Sequence, residues 1–99
     1  MTTADVLGRA ADLVEEGWTQ DTFAEDEYGN GCDWSSEEAV VWCVSGAIRA
    51  AAGPGGPYKL ALAVLRQEIG PRVAAWNDDP DRTQAEVVAT LRAAARRAI

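Results

Sequence analysis

The stretch Glu37-Glu38-Ala39-Val40-Val41-Trp42-Cys43-Val44-Ser45-Gly46-Ala47-Ile48-Arg49-Ala50-Ala51-Ala52 decides how the rest of the chain is read. It is the one apolar run with helical texture on nearly every side, and it predicts a central helix. Ser35 supplies an N-cap, and Glu38 three residues later completes a capping box. Gly53-Pro54-Gly55-Gly56-Pro57 ends the helix, because neither residue type continues one cheaply. Val41, Val44, Ile48 and Ala51 form one apolar stripe, widened on a flank by Val40, Cys43 and Ala47. Trp42, Gly46 and Arg49 lie on the other side, where a glycine one turn after a tryptophan lets another backbone come close. Such a helix, ~17 residues and ~25 Å long, is the expected spine of a small bundle.

Working outward toward the N-terminus, Thr2 or Thr3 caps a first helix that runs to about Glu16. It carries Val6, Leu7, Ala10, Leu13 and Val14 on one face. Gly17 ends it, and Trp18 is expected to tuck back against its last turn. Between Trp18 and Trp34 the helical period disappears. Tyr28-Gly29-Asn30-Gly31 is a strong turn signal, so a short irregular or hairpin segment is expected there. Toward the C-terminus, Tyr58 to Ile69 reads as a third helix on Leu62, Leu65 and Ile69, with Gly70-Pro71 closing it. Val73 to Asn77 is a short helical turn that places Trp76. A last helix follows, with Thr83 and Glu86 as a second capping box and Val87, Val88, Leu91, Ala94 and Ala95 as its buried face. The expected fold is therefore mostly α, a single helical domain of four main helices over residues 1–99.

Composition narrows the function classes. Ninety-nine residues hold one domain, and no run approaches the ~20 apolar residues of a membrane span. The first twelve residues lack a basic region followed by an apolar core, so no secretory signal is expected. Two cysteines, Cys32 and Cys43, do not make a disulfide framework, which points to a reduced, cytoplasmic setting. Charge is strongly asymmetric: residues 1–48 carry eleven acids and one base, residues 49–99 five acids and eight bases. No Lys or Arg stands between Ala10 and Ile48. An acidic face repels nucleic acid and attracts a basic partner or a cation; it also serves simply as a solvated surface.

Histidine is absent. That removes Ser-His-Asp and Cys-His nucleophile pairs and every histidine metal ligand. Cys43, on an apolar flank, reads as a small hydrophobe with a raised pKa. The segment Asp26 to Glu37 meets the calcium-loop pattern at Asp26, Asn30, Gly31 and Glu37 but has Tyr28 at the third position, so it reads first as an acidic turn. Gly53-Pro54-Gly55-Gly56 lacks the lysine of a phosphate loop. The densest polar cluster is Trp76-Asn77-Asp78-Asp79-Pro80-Asp81-Arg82-Thr83, which punctuates the entry to the last helix and offers Trp76, Asn77 and Arg82 for recognition.

Trp42-Cys43-x-x-Gly46-Ala47, then Trp76-Asn77-Asp78, then Arg82-Thr83-x-x-Glu86-Val87 form a joint pattern. With Gly17-Trp18 and Phe23-Ala24 upstream, it resembles a family of small uncharacterised proteins of actinobacteria and their phages, a domain of unknown function. The resemblance covers most of the chain and brings no activity with it. It implies a shared centre of Trp42, Cys43, Gly46, Trp76, Asn77, Asp78, Arg82 and Thr83. Buried polar contacts of the Trp-Asn-Asp and Arg-Thr pairs would join the central and last helices.

The function expected from these readings is a small acidic protein-binding or regulatory module. Its surface around residues 20–38, with Glu25, Asp26, Glu27 and Asp33, would meet a basic protein partner. The alternative is a small-ligand-binding protein or unusual enzyme, its pocket between the central and C-terminal helices lined by Asn77, Asp78 and Arg82. A homodimer through an exposed helix face is a third option. No catalytic residue, cofactor or metal is assigned, and neither nucleic acid nor membrane is an expected partner.

Overall fold

The computed structural model describes residues 1–99. Five helices surround a minimal sheet: α1 (Thr3–Glu16), β1 (Ala24–Glu25), β2 (Gly31–Cys32), β3 (Val41–Trp42), α2 (Val44–Ala52), α3 (Tyr58–Ile69), α4 (Val73–Asn77) and α5 (Gln84–Arg97). The mostly α expectation holds. The count of four main helices becomes five, because the turn at Val73–Asn77 is a helix in its own right.

Local rules set the outer helices. Thr2 caps α1 by accepting from Asp5 N–H, and the Asp5 carboxylate accepts in return from Thr2 N–H, so two orphan donors are satisfied together. Thr83 and Glu86 do the same for α5. At the other end of α1, the carbonyls of Val14 and Glu15 accept from Gln84 Nε2 at 2.7 and 3.3 Å, which ties the end of α1 to the start of α5.

The central helix is shorter than its sequence suggests. The expected helix from Glu37 is corrected to Val44–Ala52, and Ser35 and Glu38 form no capping box. Asp33 Oδ1 accepts from Ser35 N–H, Ser36 Oγ accepts from Glu38 N–H, and backbone turns join Ser36 to Asp33 and Ala39 to Ser36. These short polar side chains offer the backbone a local alternative to helix. Val40 and Val41 are β-branched and accept extended backbone readily. Non-local partners then complete the extended course. Val40 N–H donates to Glu25 O, Trp42 N–H to Gly17 O, and Cys43 N–H to Phe23 O, while Trp42 O accepts from Thr19 N–H. Every one of these bonds joins residues far apart in sequence, which helical periodicity does not reveal.

Of the irregular or hairpin segment expected between the first two helices, the hairpin is what forms, within a three-stranded sheet. β1 and β2 pair antiparallel with Ala24 opposite Cys32, around a turn in which Gly29 takes φ +81°. β3 adds to the other edge of β1, with Ala24 opposite Trp42, giving the order β2-β1-β3. A parallel bridge between Trp18 and Trp42 extends the pairing toward the end of α1.

The spine is α1, not the central helix. Val6, Leu7, Ala10, Ala11 and Val14 are fully buried, and α1 packs against α5, α2 and α3. Alanines at two of these positions let the neighbouring helices approach closely. Val44, Ala47, Ile48 and Ala51 of α2, Ala61, Leu62 and Leu65 of α3, and Val87, Leu91 and Ala94 of α5 complete one core. Burying a Leu or Ile side chain contributes roughly 1.5–3 kcal/mol, so these stripes carry most of the helical stability. No helix is long and apolar enough to cross a membrane.

Candidate functional site

Asn77, at the end of α4, is the one buried polar residue. Its Oδ1 accepts from Trp18 Nε1 at 2.8 Å and from Val44 N–H at 3.0 Å. Its Nδ2 donates to Thr19 O at 3.1 Å and to Asp78 Oδ1 at 2.9 Å. Both lone pairs and both N–H groups of the amide are thereby used. The side chain staples the strand-like segment 17–19, the first N–H of α2 and the end of α4. The same corner is closed by Asp21 N–H donating to Asp78 Oδ1, and by Gln20 Nε2 donating to the carbonyls of Asn77 and Asp79. Asp21 takes φ +70°, a left-handed conformation in which aspartate is enriched among non-glycine residues.

Arg82 does not join Asn77 and Asp78. Its guanidinium lies 4.2 Å from the Trp76 ring centre, Nε donates to Trp76 O at 2.9 Å, and Nη1 meets Glu86 at 3.2 Å. It therefore caps α4 and fixes the entry to α5. The resemblance implies that Trp76-Asn77-Asp78 and Arg82-Thr83 join the central and last helices; instead Asn77 bonds to Trp18 and to the first N–H of α2, while Arg82 pairs separately with Trp76. These contacts join α4 to its neighbours on either side.

Four of the sixteen acidic side chains form ion pairs, all of them on helices. Asp12 and Glu15 on α1 share Arg92 of α5 at 3.0 and 3.2 Å, and Glu68 of α3 pairs with Arg97 at 2.7 Å. The hydrogen bond to Asp12 raises the pKa of Arg92 further above its already high ordinary value. By contrast, no carboxylate between Gly17 and Ile48 has an ion-pair partner, although seven stand there. Asp26 Oδ1 accepts from the N–H groups of Tyr28 and Asn30, and Asp33 Oδ1 from Ser35 N–H and its hydroxyl. Glu25 accepts from the Thr19 hydroxyl, and Glu27 is exposed. Tyr28 (79% exposed), Phe23 (44%) and Val40 (45%) stand out of the same region. The Asp26 to Glu37 segment is built as a hairpin followed by turns, without the flanking helices of a calcium loop. No group of three Cys, Asp or Glu side chains is disposed to hold a metal ion.

Cys43 caps α2, its Sγ accepting from Gly46 N–H at 3.3 Å. Burial pushes its thiol pKa up, and the helix-end N–H groups offset that only in part. Cys32, in β2, is also pushed up, by partial desolvation and by the Asp26 carboxylate. Both shifts run opposite to the lowering that activates a thiol as a nucleophile.

Arg49 was not singled out as a site residue by its sequence context. Its guanidinium sits within three aromatic rings, 4.6 Å from the centre of Tyr58, 5.1 Å from Trp34 and 5.7 Å from Phe23. Its Nε is the one buried side-chain polar atom without a hydrogen-bond partner. Cation–π contacts of ~0.5–2 kcal/mol each offset the cost of desolvating the charge while consuming none of its N–H donors. The sequence signal was its position as the first base after the long acidic stretch; the convergence of three distant aromatics was not readable.

Two clefts meet at Arg49. One, of about 890 Å³, lies between Trp34-Ser35 and the α2–α3 connector. The other, of about 730 Å³, lies at the start of α2, against Asp21–Phe23, α4 and the end of α3. No residue of α5 lines either cleft, so neither is the pocket expected between the central and C-terminal helices.

No curated protein and no solved structure matches this chain. A family described as being of unknown function, DUF6197, matches it over residues 1–97. With a match spanning almost its whole length, the chain belongs to the DUF6197 family.

Proposed function

We propose that this chain is a small protein-binding module whose acidic hairpin and following turns, residues 20–38, dock onto a basic surface of a partner protein. The observation that carries the reading is the segregation of ion pairs. Arginine pairs with Asp12 and Glu15 on α1, Glu68 on α3 and Glu86 on α5, whereas none of the seven carboxylates between Gly17 and Ile48 has a basic partner. Exposed Tyr28 and Phe23 among those charges add the aromatic surface that binding hot spots favour. Unscreened charge of one sign speeds association with an oppositely charged partner and loses strength with salt. The resemblance to small proteins of actinobacteria and their phages, and the two free thiols, support a cytoplasmic setting in such a host.

The test compares the wild-type chain with a variant carrying Glu25→Gln, Asp26→Asn, Glu27→Gln and Asp33→Asn. The amides keep the side-chain acceptors of the turns while removing charge. Affinity capture from a lysate of the native host, graded in salt, should retain a specific basic protein on the wild type and lose it on the variant. Capture that is equal for both chains refutes the acidic docking surface.

A further inference from the structure

We propose that the cleft at the start of α2 binds the phosphate group of a small molecule, with Arg49, Arg66 and Arg72 as its cationic walls. The charge distribution makes this cleft exceptional. Sixteen acids outnumber nine bases in the chain, so carboxylate partners are plentiful. Arg82, Arg92 and Arg97 take them. Five arginines do not; Arg9 and Arg96 are exposed elsewhere, and the other three line this one cleft.

Arg49 is held ready for an anion. Tyr58, Trp34 and Phe23 surround its guanidinium, no carboxylate pairs with it, and Nε is buried without a hydrogen-bond partner. A guanidinium presents a planar fork that fits phosphate oxygens, and several cations suit a dianion better than a single carboxylate. The start of α2 adds the positive end of its dipole. It supplies field more than donors, because Val44 N–H is taken by Asn77 and Gly46 N–H by Cys43. Asp21 and Asp78 line the same cleft, and Asp78 Oδ1 already has two donors. These carboxylates suit a hydroxyl or ammonium group on the body of the ligand. The volume of about 730 Å³ is that of an ordinary small-molecule site.

This site is separate from the acidic docking surface and is tested without it. Thermal unfolding is measured in inorganic phosphate and in phosphoserine, each against sodium chloride at equal ionic strength, with succinate as the carboxylate arm. Phosphate and phosphoserine should raise Tm in a saturable manner, because a ligand that binds only the folded state stabilises it. Arg66→Ala combined with Arg72→Ala should leave Tm in chloride unchanged and weaken phosphoserine binding by about tenfold or more. Arg49→Lys, which keeps the charge but not the fork, should also weaken binding; Arg96→Ala should not. Equal Tm in phosphate and chloride overturns the proposal, as does a shift that survives the double substitution. An equal response to succinate overturns the assignment to phosphate.

Discussion

The helical frame and the segment between Gly17 and Cys43 are stabilised by different means. In α1, α3 and α5, apolar stripes, capping boxes at Thr2–Asp5 and Thr83–Glu86, and arginine–carboxylate pairs repeat what short sequence windows specify. From Gly17 to Cys43 there is little apolar burial and no ion pair. That segment is held by backbone bonds across long sequence separations and by a few side-chain bonds to the end of α4, chiefly those of Asn77, with Gln20 and Asp78 beside it. Stability in such a region rests on a few irreplaceable contacts, whereas the frame spreads it over many replaceable ones.

The sharpest way to break this contrast is at Asn77. Asn77→Ala leaves Trp18 Nε1, Val44 N–H and Thr19 O without their partner, and should cost about 3–4 kcal/mol in urea unfolding. A loss near that of an ordinary surface substitution would mean that water replaces the amide and that the staple is dispensable.

Gly46 comes next. A Cβ there would stand 2.2 Å from the Phe23 carbonyl oxygen, a backbone atom with little room to retreat. Gly46→Ala should destabilise by about 2–3 kcal/mol, although alanine is the better helix former by ~1 kcal/mol. If the variant were more stable, the loop would not be pinned to α2 as described.

In the frame the expected effects are smaller. Thr83→Ala removes one capping hydroxyl from α5 and should cost about 1 kcal/mol, read from the same unfolding curves. A loss comparable to that of Asn77→Ala would erase the proposed difference between the regions.

The smallest effect is expected at alkaline pH. Burial raises the Cys43 thiol above its ordinary value of 9.0, so the unfolded chain releases this proton first. The associated stability is complete below about pH 9 and is lost as pH rises through the folded-state value. Cys43→Ser should flatten the alkaline limb of the stability profile relative to wild type. An unchanged slope would assign that limb to other groups.

Much of the frame was legible because its causes are local. Helical spacing identified Tyr58–Ile69, and threonine with an acid three residues on marked the start of α5. Trp76-Asn77-Asp78 and Arg82 were recognisable as a dense polar cluster. Its division into an Asn77 staple and an Arg82 cap was not, because Trp18 and Val44 are remote in sequence. Glu25, Asp26, Glu27 and Asp33 are visible in the sequence as charges, but their freedom from arginine depends on the tertiary placement of Arg92 beside α1 and of Arg97 beside α3.

Val40-Val41-Trp42-Cys43 separates the two kinds of information most clearly. Composition and spacing settled a small mostly α domain, its outer helices, the Tyr28–Gly31 turn and the acidic imbalance, since each arises within a turn or two of chain. The tertiary structure decided that this apolar run opens as a strand, that α1 forms the spine, and that Arg49 meets three rings beside two clefts. Those outcomes depend on which distant backbone groups and side chains fill each other's unsatisfied bonds and volumes, and only closure of the whole chain brings them together.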